Sequence, residues 1–272
     1  MTDLKGFVNS LKAERLSEVT IKNYEYEVEL MLRNIGKPAN EIRYSDIIDW
    51  LGGISDMSAA TVNKRINAAK KFFTYLTNIG VISENPMDNI TLVKSEQKEA
   101  LYVPFDEAKI LIKYGKNARD KAIIAVFLST GLRFSEVANL TLDDYDSEKI
   151  MVKTKGNKLR AIWLNDTCRH YVDEYLKVRK ETGINNLFVS NQGTPMKNAS
   201  LNKTLKVIAE RAGITNEIHV HSLRHSVTSE LCHNYGINEA SKIIGHSNIR
   251  TTARYCHDRD EDIKNAMLSI SL

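Results

Sequence analysis

The sequence has few of the features that mark secreted, membrane or metal-binding proteins. Its three cysteines form no short Cys-x-x-Cys pair, which argues against disulfides and against a zinc site. It has no run of about 18 apolar residues, and its first residues lack the apolar core of a signal peptide. We therefore expect a cytoplasmic protein without a membrane partner.

A strong excess of charge is also missing. The net charge is +4, and residues 1–93 carry 11 Lys and Arg against 12 Asp and Glu, so the positive excess belongs to the rest of the chain. A polyanionic partner would therefore require that basic residues share one face. The 42% hydrophobic content in 272 residues is enough for two soluble domains with separate cores.

Residues 1–93 show the periodicity of amphipathic helices. Helices are predicted over 17–35, 45–51 and 58–79, with serines as N-caps of the two long ones and glycines as their stops. One face of the third helix has hydrogen-bond donors and no carboxylate, which suits phosphates and base edges. We predict DNA contacts there, although a solvated lysine face is the simpler alternative. The residues concerned are Asn63, Lys64, Asn67, Lys71 and Thr74.

The second domain, 104–272, is predicted to be mixed α+β and mainly helical. The charged stretch 94–103 lacks apolar periodicity and is interpreted as a linker. Strands over 148–154 and 159–164 should form a small antiparallel sheet around the loop at 155–158. The other predicted elements are helices over 105–114, 119–129, 166–180 (capped by Asp166) and 198–212, a short strand over 187–189, and a docking segment within 258–272.

Two short motifs in this domain concentrate side chains that suit a phosphate. In Ser-Thr-Gly-Leu-Arg133, a new helix should begin at Phe134, so Arg133 stands at a helix entrance, where the dipole favours an anion. In His221-Ser-Leu-Arg224-His, the His and Arg are three residues apart and share one helical face. No Asp or Glu occurs in 221–229, so Arg224 lacks a local carboxylate. Two such guanidiniums can hold one phosphodiester.

Two further motifs complete a recognisable set. Thr-Gly-Leu-Arg133-x-Ser-Glu, His221-x-Leu-Arg-His, Gly-His246 and Tyr255 together resemble the signature of the tyrosine recombinases (the phage integrase family), and within it the Xer-type branch. The resemblance covers nearly the whole chain. It implies a SAM-like core-binding domain for residues 1–93 and a tyrosine-recombinase catalytic domain for 104–272, forming a C around duplex DNA.

The resemblance implies a phosphoryl transfer with six catalytic residues. Tyr255 would be the nucleophile, and Arg133 and Arg224 would stabilise the pentacoordinate transition state. His246 would donate to a non-bridging oxygen, while His221 would accept or relay the tyrosine proton. One phosphodiester replaces another in a 3′-phosphotyrosyl intermediate, so the reaction would need neither metal nor ATP.

The remaining site residues are a hairpin lysine and two supporting residues. In the family, a hairpin lysine protonates the leaving 5′-oxygen, and Lys155 matches that position, with Lys158 as the alternative. Glu136 is expected to cap or support the Arg133 helix. His225 is expected to support the catalytic residues without contacting the substrate itself. A metal site made of His219, His221 and His225 is disfavoured, because no carboxylate or cysteine joins them. We therefore expect no metal and no cofactor.

The resemblance implies partners and leaves several functions open. The partner would be double-stranded DNA with a specific recombination site, bound by a homo-oligomer of two protomers per site and four per synapse. A DNA translocase is a further candidate partner, as activator. The lack of an additional arm-binding domain favours Xer-like chromosome dimer resolution over a mobile-element integrase. A type IB topoisomerase-like DNA relaxer and a catalytically silent DNA-binding protein also stay open, the second of them disfavoured because all six catalytic positions are filled.

Overall fold

Residues 2–94, 103–153, 159–245 and 248–253 are described by a computed structural model of the chain. The chain divides into two units, Met1–Gln97 and Lys98–Leu272, each with its own hydrophobic core. The described part of the first unit is helical, and that of the second is mainly helical with a small antiparallel sheet, which confirms the predicted fold class. Most of the predicted linker, 94–103, lies outside the described residues.

Four helices and a short 3-10 turn make up the described part of the first unit. The predicted caps of the two long helices are present, because Ser17 Oγ accepts from the Thr20 N–H and Ser58 Oγ from the Thr61 N–H. Gly36 ends the first of them in the left-handed conformation, with φ 72°. The helices are α1 (Thr2–Ala13), α2 (Glu18–Ile35), α3 (Tyr44–Gly52) and α4 (Ala59–Asn78), and the 3-10 turn is Ala39–Glu41.

The core of this unit forms around the apolar stripe of α4. All five stripe residues are buried, namely Val62, Ile66, Ala69, Phe73 and Leu76. Helix α1 had no counterpart among the predicted elements, yet it supplies Phe7 and Leu11 to the same core. The Phe7 ring meets Phe72 edge-to-face, with centroids 5.3 Å apart.

The second unit is built around one buried helix. Helix α6 is apolar on all sides from Ala122 to Leu128 and packs against α5, α8 and α10. The two strands pair antiparallel with Val152 opposite Arg160. The elements are α5 (Phe105–Tyr114), α6 (Ala118–Thr130), α7 (Phe134–Ala138), a 3-10 turn (Leu142–Asp144), β1 (Lys149–Lys153), β2 (Leu159–Trp163), α8 (Asp166–Val178), α9 (Asn198–Arg211), α10 (Val220–Ile244) and α11 (Ile249–Ala253).

Two local predictions in this unit were wrong. The N-cap of α8 is Asn165, whose Oδ1 accepts from the Cys168 N–H, so Asp166 lies inside the first turn. Residues 187–189 are buried but form no strand, because only Val189 makes an isolated bridge, to Pro195, and the apolar run reflects burial alone. His221 and Arg224 lie in the first part of α10, which consists of two helical segments that meet at a kink at Gly236, where φ is 77°.

Of the two described cysteines, one differs from expectation. Cys168 is a buried free thiol, and burial raises its pKa to about 12. Cys232 is disulfide-bonded, which sequence spacing did not indicate, because spacing does not show which cysteines approach each other in the fold. None of the described helices is both long enough and apolar enough for a membrane span. Within the same residues, no group of three potential ligands is arranged to hold a metal ion.

Candidate active site

The turn that carries Arg133 depends on Gly131. This glycine ends α6 with φ 60°, and its N–H donates to the Phe127 carbonyl. A Cβ at this position would lie 2.5 Å from Ile244 Cδ1 and 3.1 Å from Val227 Cγ1. Glycine is therefore required both by the backbone conformation and by the close approach of α10.

Arg133 is the N-cap residue of α7 and binds Glu136 twice. Its backbone N–H donates to Glu136 Oε2 at 2.7 Å, and its Nη1 donates to Oε1 at 3.0 Å. Glu136 therefore caps the helix and also orients the guanidinium. Since α7 has only five residues and Glu136 already caps the Arg133 N–H, the contribution of the helix dipole is smaller than the sequence suggested, and the predicted anion site would depend on the guanidinium. The Arg133 side chain is 43% exposed, whereas Glu136 is 12% exposed.

Arg224 connects this turn to the end of α10. It is only 3% exposed, and its Nη1 donates to the carbonyl oxygen of Gly131 at 2.5 Å. Its Nη2 donates to the carbonyl oxygen of Ile244 at 3.2 Å. The second guanidinium therefore lies beside the turn that presents Arg133, although the two arginines are far apart in the sequence.

His221 belongs to the same electrostatic neighbourhood. Its pKa is lowered by desolvation and by the positive charges of His219, Arg224 and Arg133, although the ring keeps access to solvent. His221 stands three residues before Arg224 on α10, and Arg224 binds the turn that presents Arg133. The structure therefore brings Arg133, His221 and Arg224 to the same region of the second unit. A lowered pKa keeps His221 neutral and able to accept a proton at neutral pH.

The neighbouring histidines have structural contacts. His219 is the N-cap of α10, where its Nδ1 accepts from the Ser222 N–H at 2.8 Å. The His225 ring stacks on the His221 ring with centroids 6.1 Å apart, so it borders the site.

Arg160 was not among the sequence-based candidates. It extends from β2, and its pKa is lowered by burial, raised by the charge of Glu136 and lowered by that of Arg133. It therefore lies near the Arg133–Glu136 pair. The alternating pattern of β2 could have identified Arg160 as a candidate. It places Arg160 on the more buried face of the strand together with Ile162, where a charged residue is unusual.

The other predicted catalytic residues, Lys155, His246 and Tyr255, lie outside the described residues, as does Lys158. The described chain ends close to two of them, since β1 ends at Lys153 and α10 is capped by Gly245. Their roles stay predictions.

The predicted DNA-contacting face of α4 borders carboxylates from neighbouring helices. Lys64 Nζ lies 2.8 Å from Oε1 of the buried Glu27 on α2, and Lys71 Nζ lies 2.7 Å from Oε2 of Glu14. Both lysines keep solvent access, at 54% and 36% exposure. The face is therefore less positive than α4 alone suggested, because local sequence does not show what neighbouring helices contribute.

Asn63 has two structural hydrogen bonds on the same face. Its Nδ2 donates to the carbonyl oxygen of Val93 at 2.9 Å, and its Oδ1 accepts from the Val93 N–H at 2.8 Å. Asn67 and Thr74 are exposed, and Thr74 Oγ1 accepts from Asn85 Nδ2 at 3.4 Å. DNA contact by these residues stays a prediction.

Comparison with known proteins identifies the family. Residues 102–262 match the phage integrase family, and residues 4–80 match the phage integrase N-terminal SAM-like domain. Tyrosine recombinase XerC from Caldanaerobacter subterraneus subsp. tengcongensis is 31% identical over 303 aligned residues, which cover 98% of this chain and 85% of the relative.

Solved structures show the same relationship. The crystal structure of XerA recombinase matches with 28% identity and a TM-score of 0.58, covering 100% of this chain and 99% of the other. XerH site-specific recombinase bound to a palindromic difH substrate shares the fold, with a TM-score of 0.77 at 22% identity over 95% of this chain and 82% of the other. This chain therefore belongs to the phage integrase family and is a tyrosine recombinase.

Proposed function

We propose that this chain cleaves and rejoins duplex DNA at a specific site through a 3′-phosphotyrosyl intermediate, without metal or ATP. The observation that supports this most is the hydrogen bond from Arg224 Nη1 to the Gly131 carbonyl. It brings a second guanidinium to the turn that presents Arg133, and two guanidiniums beside one imidazole match the charge of a phosphodiester in transfer.

In the proposed reaction, Tyr255 Oη attacks the scissile phosphorus. A bond forms between phosphorus and Oη while the bond between phosphorus and the 5′-oxygen breaks. The phenolic proton passes to His221, whose lowered pKa keeps it neutral at the start. Arg133 and Arg224 stabilise the charge on the non-bridging oxygens, which is greatest in the pentacoordinate transition state.

Two further residues complete the proposed set. His246 donates a hydrogen bond to a non-bridging oxygen, and Lys155 gives its proton to the leaving 5′-oxygen. Attack by a different 5′-hydroxyl on the phosphotyrosine then produces strand exchange. The bond energy of the phosphodiester is kept in the intermediate, so no external energy source is needed.

The proposed biological role is Xer-like resolution of chromosome dimers in the cytoplasm. Its support is the similarity to XerC and XerA over nearly the whole chain. In this role the two units clamp duplex DNA, with two protomers on each site, four in the synapse and a DNA translocase as activator. The exposed lysines of α4 supply phosphate contacts.

The test begins with a duplex selected from a random-sequence pool by retention on the protein. A nick is then moved stepwise across the selected site, so that cleavage beside it releases a short strand and traps the covalent adduct. In buffer with a metal chelator and no ATP, the wild type should form an adduct and Tyr255→Phe should bind without forming one. An adduct formed by Tyr255→Phe would overturn the choice of nucleophile.

The same preparation separates two competing functions. Relaxation of a supercoiled plasmid that lacks the selected site, at a rate equal to that of a plasmid carrying it, would favour a topoisomerase-like enzyme. Binding of the selected duplex with no adduct at any nick position would favour a catalytically silent DNA-binding protein.

A further inference from the structure

Arg160 joins the β-hairpin to the end of α10. Its Nη1 donates a 3.0 Å hydrogen bond to the carbonyl oxygen of Ile243, in the last turn of that helix. The last carbonyls of a helix have no partner within it and carry partial negative charge. A guanidinium that reaches them from a strand therefore holds the two elements together by a directed, charge-assisted bond.

The Arg160 guanidinium also lies against Gly245, the C-cap of α10. A Cβ on Gly245 would come within 2.4 Å of Arg160 Nη1 and 3.0 Å of its Cζ. The φ of Gly245 is 75°, in the left-handed region. The conformation favours glycine, and a Cβ at this position would displace the guanidinium. The next residue in the chain is His246, so the contact immediately precedes a proposed substrate-binding side chain.

Two arginines bind consecutive carbonyls at this helix end. Arg160 binds that of Ile243 from the hairpin, and Arg224 binds that of Ile244 from the start of α10. Arg224 also binds the turn that presents Arg133, through Gly131. The hairpin, the end of α10 and the Arg133 turn are thus connected through two guanidiniums.

Packing alone would not favour an arginine at this position. Burial disfavours its charge, and its Nε is buried with no hydrogen-bond partner among the residues that the structure describes. An apolar side chain could fill an inward-facing position of β2 without these penalties. A guanidinium there indicates a use for its directed hydrogen bond.

We propose that Arg160 is a positioning residue that fixes the β-hairpin relative to Gly245, at the end of α10. Arg160 pairs with Val152 across the hairpin, and β1 ends two residues before Lys155. Anchoring β2 to α10 therefore sets where Lys155 stands relative to the leaving 5′-oxygen. This inference rests on the proposed function, because it assumes that Lys155 is the general acid.

The experiment uses two forms of the selected nicked duplex, with either oxygen or sulfur as the 5′ bridging atom of the scissile phosphate. Attack by Tyr255 on the sulfur form breaks the phosphorus–sulfur bond and releases a thiolate, which leaves without being protonated. Arg160→Lys keeps the positive charge and loses the planar fork. We expect it to slow single-turnover cleavage of the oxygen form by about 100-fold, and that of the sulfur form by less than about threefold.

Two controls define the result. Lys155→Ala should show the same selective loss, because it removes the proposed acid itself. Arg211→Gln should cleave both forms like the wild type, since it removes a similar guanidinium–carbonyl bond, to Tyr114, in another part of the catalytic unit. If Arg160→Lys does not fold, as judged by circular dichroism, Arg160→Gln takes its place.

The outcomes distinguish the two proposals. An equal loss on both forms, or no loss on either, would contradict the positioning role of Arg160 while leaving the proposed function intact. A wild type that forms no adduct with either form would overturn the proposed function, and this inference with it.

Discussion

Arg133 and Glu136 are joined both through the backbone and through their side chains. One carboxylate oxygen caps the Arg133 N–H at 2.7 Å, and the other binds its guanidinium at 3.0 Å. The Glu136 carboxylate that caps α7 therefore also orients the Arg133 guanidinium, a proposed phosphate-binding group. Stability and function should consequently respond together when Glu136 is changed.

Substitutions at Glu136 can separate these two effects. Glu136→Ala removes both bonds and should lower the free energy of unfolding by about 1 kcal/mol, a typical loss for a helix cap. It should also slow adduct formation, because the guanidinium loses the carboxylate that orients it. Glu136→Gln can keep the bond from the Arg133 N–H but presents an amide NH2 to the guanidinium, so it should keep most of the stability and still slow adduct formation. Urea denaturation and single-turnover cleavage measure the two quantities.

Asp144 offers a matched control for this prediction. It caps its own 3-10 turn by accepting from the Thr141 N–H at 2.8 Å, as Glu136 does for α7. Asp144→Ala should cost similar stability and leave the cleavage rate unchanged. Equal slowing by both alanine variants would show that cleavage follows general stability and not the orientation of Arg133.

Arg224 should contribute to folding as well as to the reaction. Arg224→Ala leaves the buried carbonyls of Gly131 and Ile244 without these donors, and an unsatisfied buried group costs about 1–3 kcal/mol. We expect a decrease of about 3 kcal/mol in the free energy of unfolding, together with loss of adduct formation. Urea denaturation with no DNA present measures the first effect. A decrease below about 0.5 kcal/mol, the range of ordinary surface substitutions, would contradict the buried contacts.

Cleavage should lose rate as the pH falls below the neutral range. The pKa of His221 is lowered from 6.5 by desolvation and by the charges of His219, Arg224 and Arg133, so the neutral base persists below pH 6.5. The free energy of unfolding should change in the same direction. The unfolded state binds the His221 proton more readily than the folded state, so stability falls as the pH drops through the lowered pKa. The midpoint of the acidic limb should lie below 6.5.

Two measurements check this pH dependence. The single-turnover cleavage rate of the wild type gives the midpoint, and His221→Gln should remove the limb. Titration of the His221 ring by NMR gives its pKa directly. A ring pKa at or above 6.5 would contradict the proposed environment of His221.

The α4 face can be tested by the salt dependence of DNA binding. Lys64→Gln should weaken binding of the selected duplex and reduce the slope of log affinity against log salt by about 1, as expected for one lost phosphate contact. Asn63→Ala should leave that slope unchanged and lower stability by about 1 kcal/mol, because its carboxamide binds the Val93 backbone. Arg33→Gln, which removes another exposed paired cation, on α2, is the control and should leave the slope unchanged. An unchanged slope for Lys64→Gln would remove it from the DNA-contacting face.

Local sequence was sufficient for features that depend on neighbouring residues. The caps at Ser17 and Ser58, the stripe of α4, the β1–β2 hairpin and the helix start after Arg133 all follow from periodicity and capping chemistry. The family resemblance added the proposed catalytic set, because those residues are far apart and no periodicity connects them.

Contacts between distant segments could not be predicted in this way. The partners of Arg224 at Gly131 and Ile244, and the pairing of Lys64 with Glu27, depend on how separate helices pack. Arg160 was missed for the same reason, since its bond to Ile243 joins residues 83 positions apart. The prediction of a strand over 187–189 was wrong because an apolar run indicates burial but does not specify a hydrogen-bonded partner strand.

The most direct test of the phosphate-binding role of Arg133 uses a neutral scissile phosphate. Replacing one non-bridging oxygen by a methyl group removes the negative charge that the arginines are proposed to stabilise. On the normal duplex, Arg133→Ala should slow formation of the tyrosyl adduct by about 100-fold or more. On the methylphosphonate duplex the same variant should lose less than about tenfold relative to the wild type. An equal loss on both duplexes would show that Arg133 does not act on the charge of the scissile phosphate.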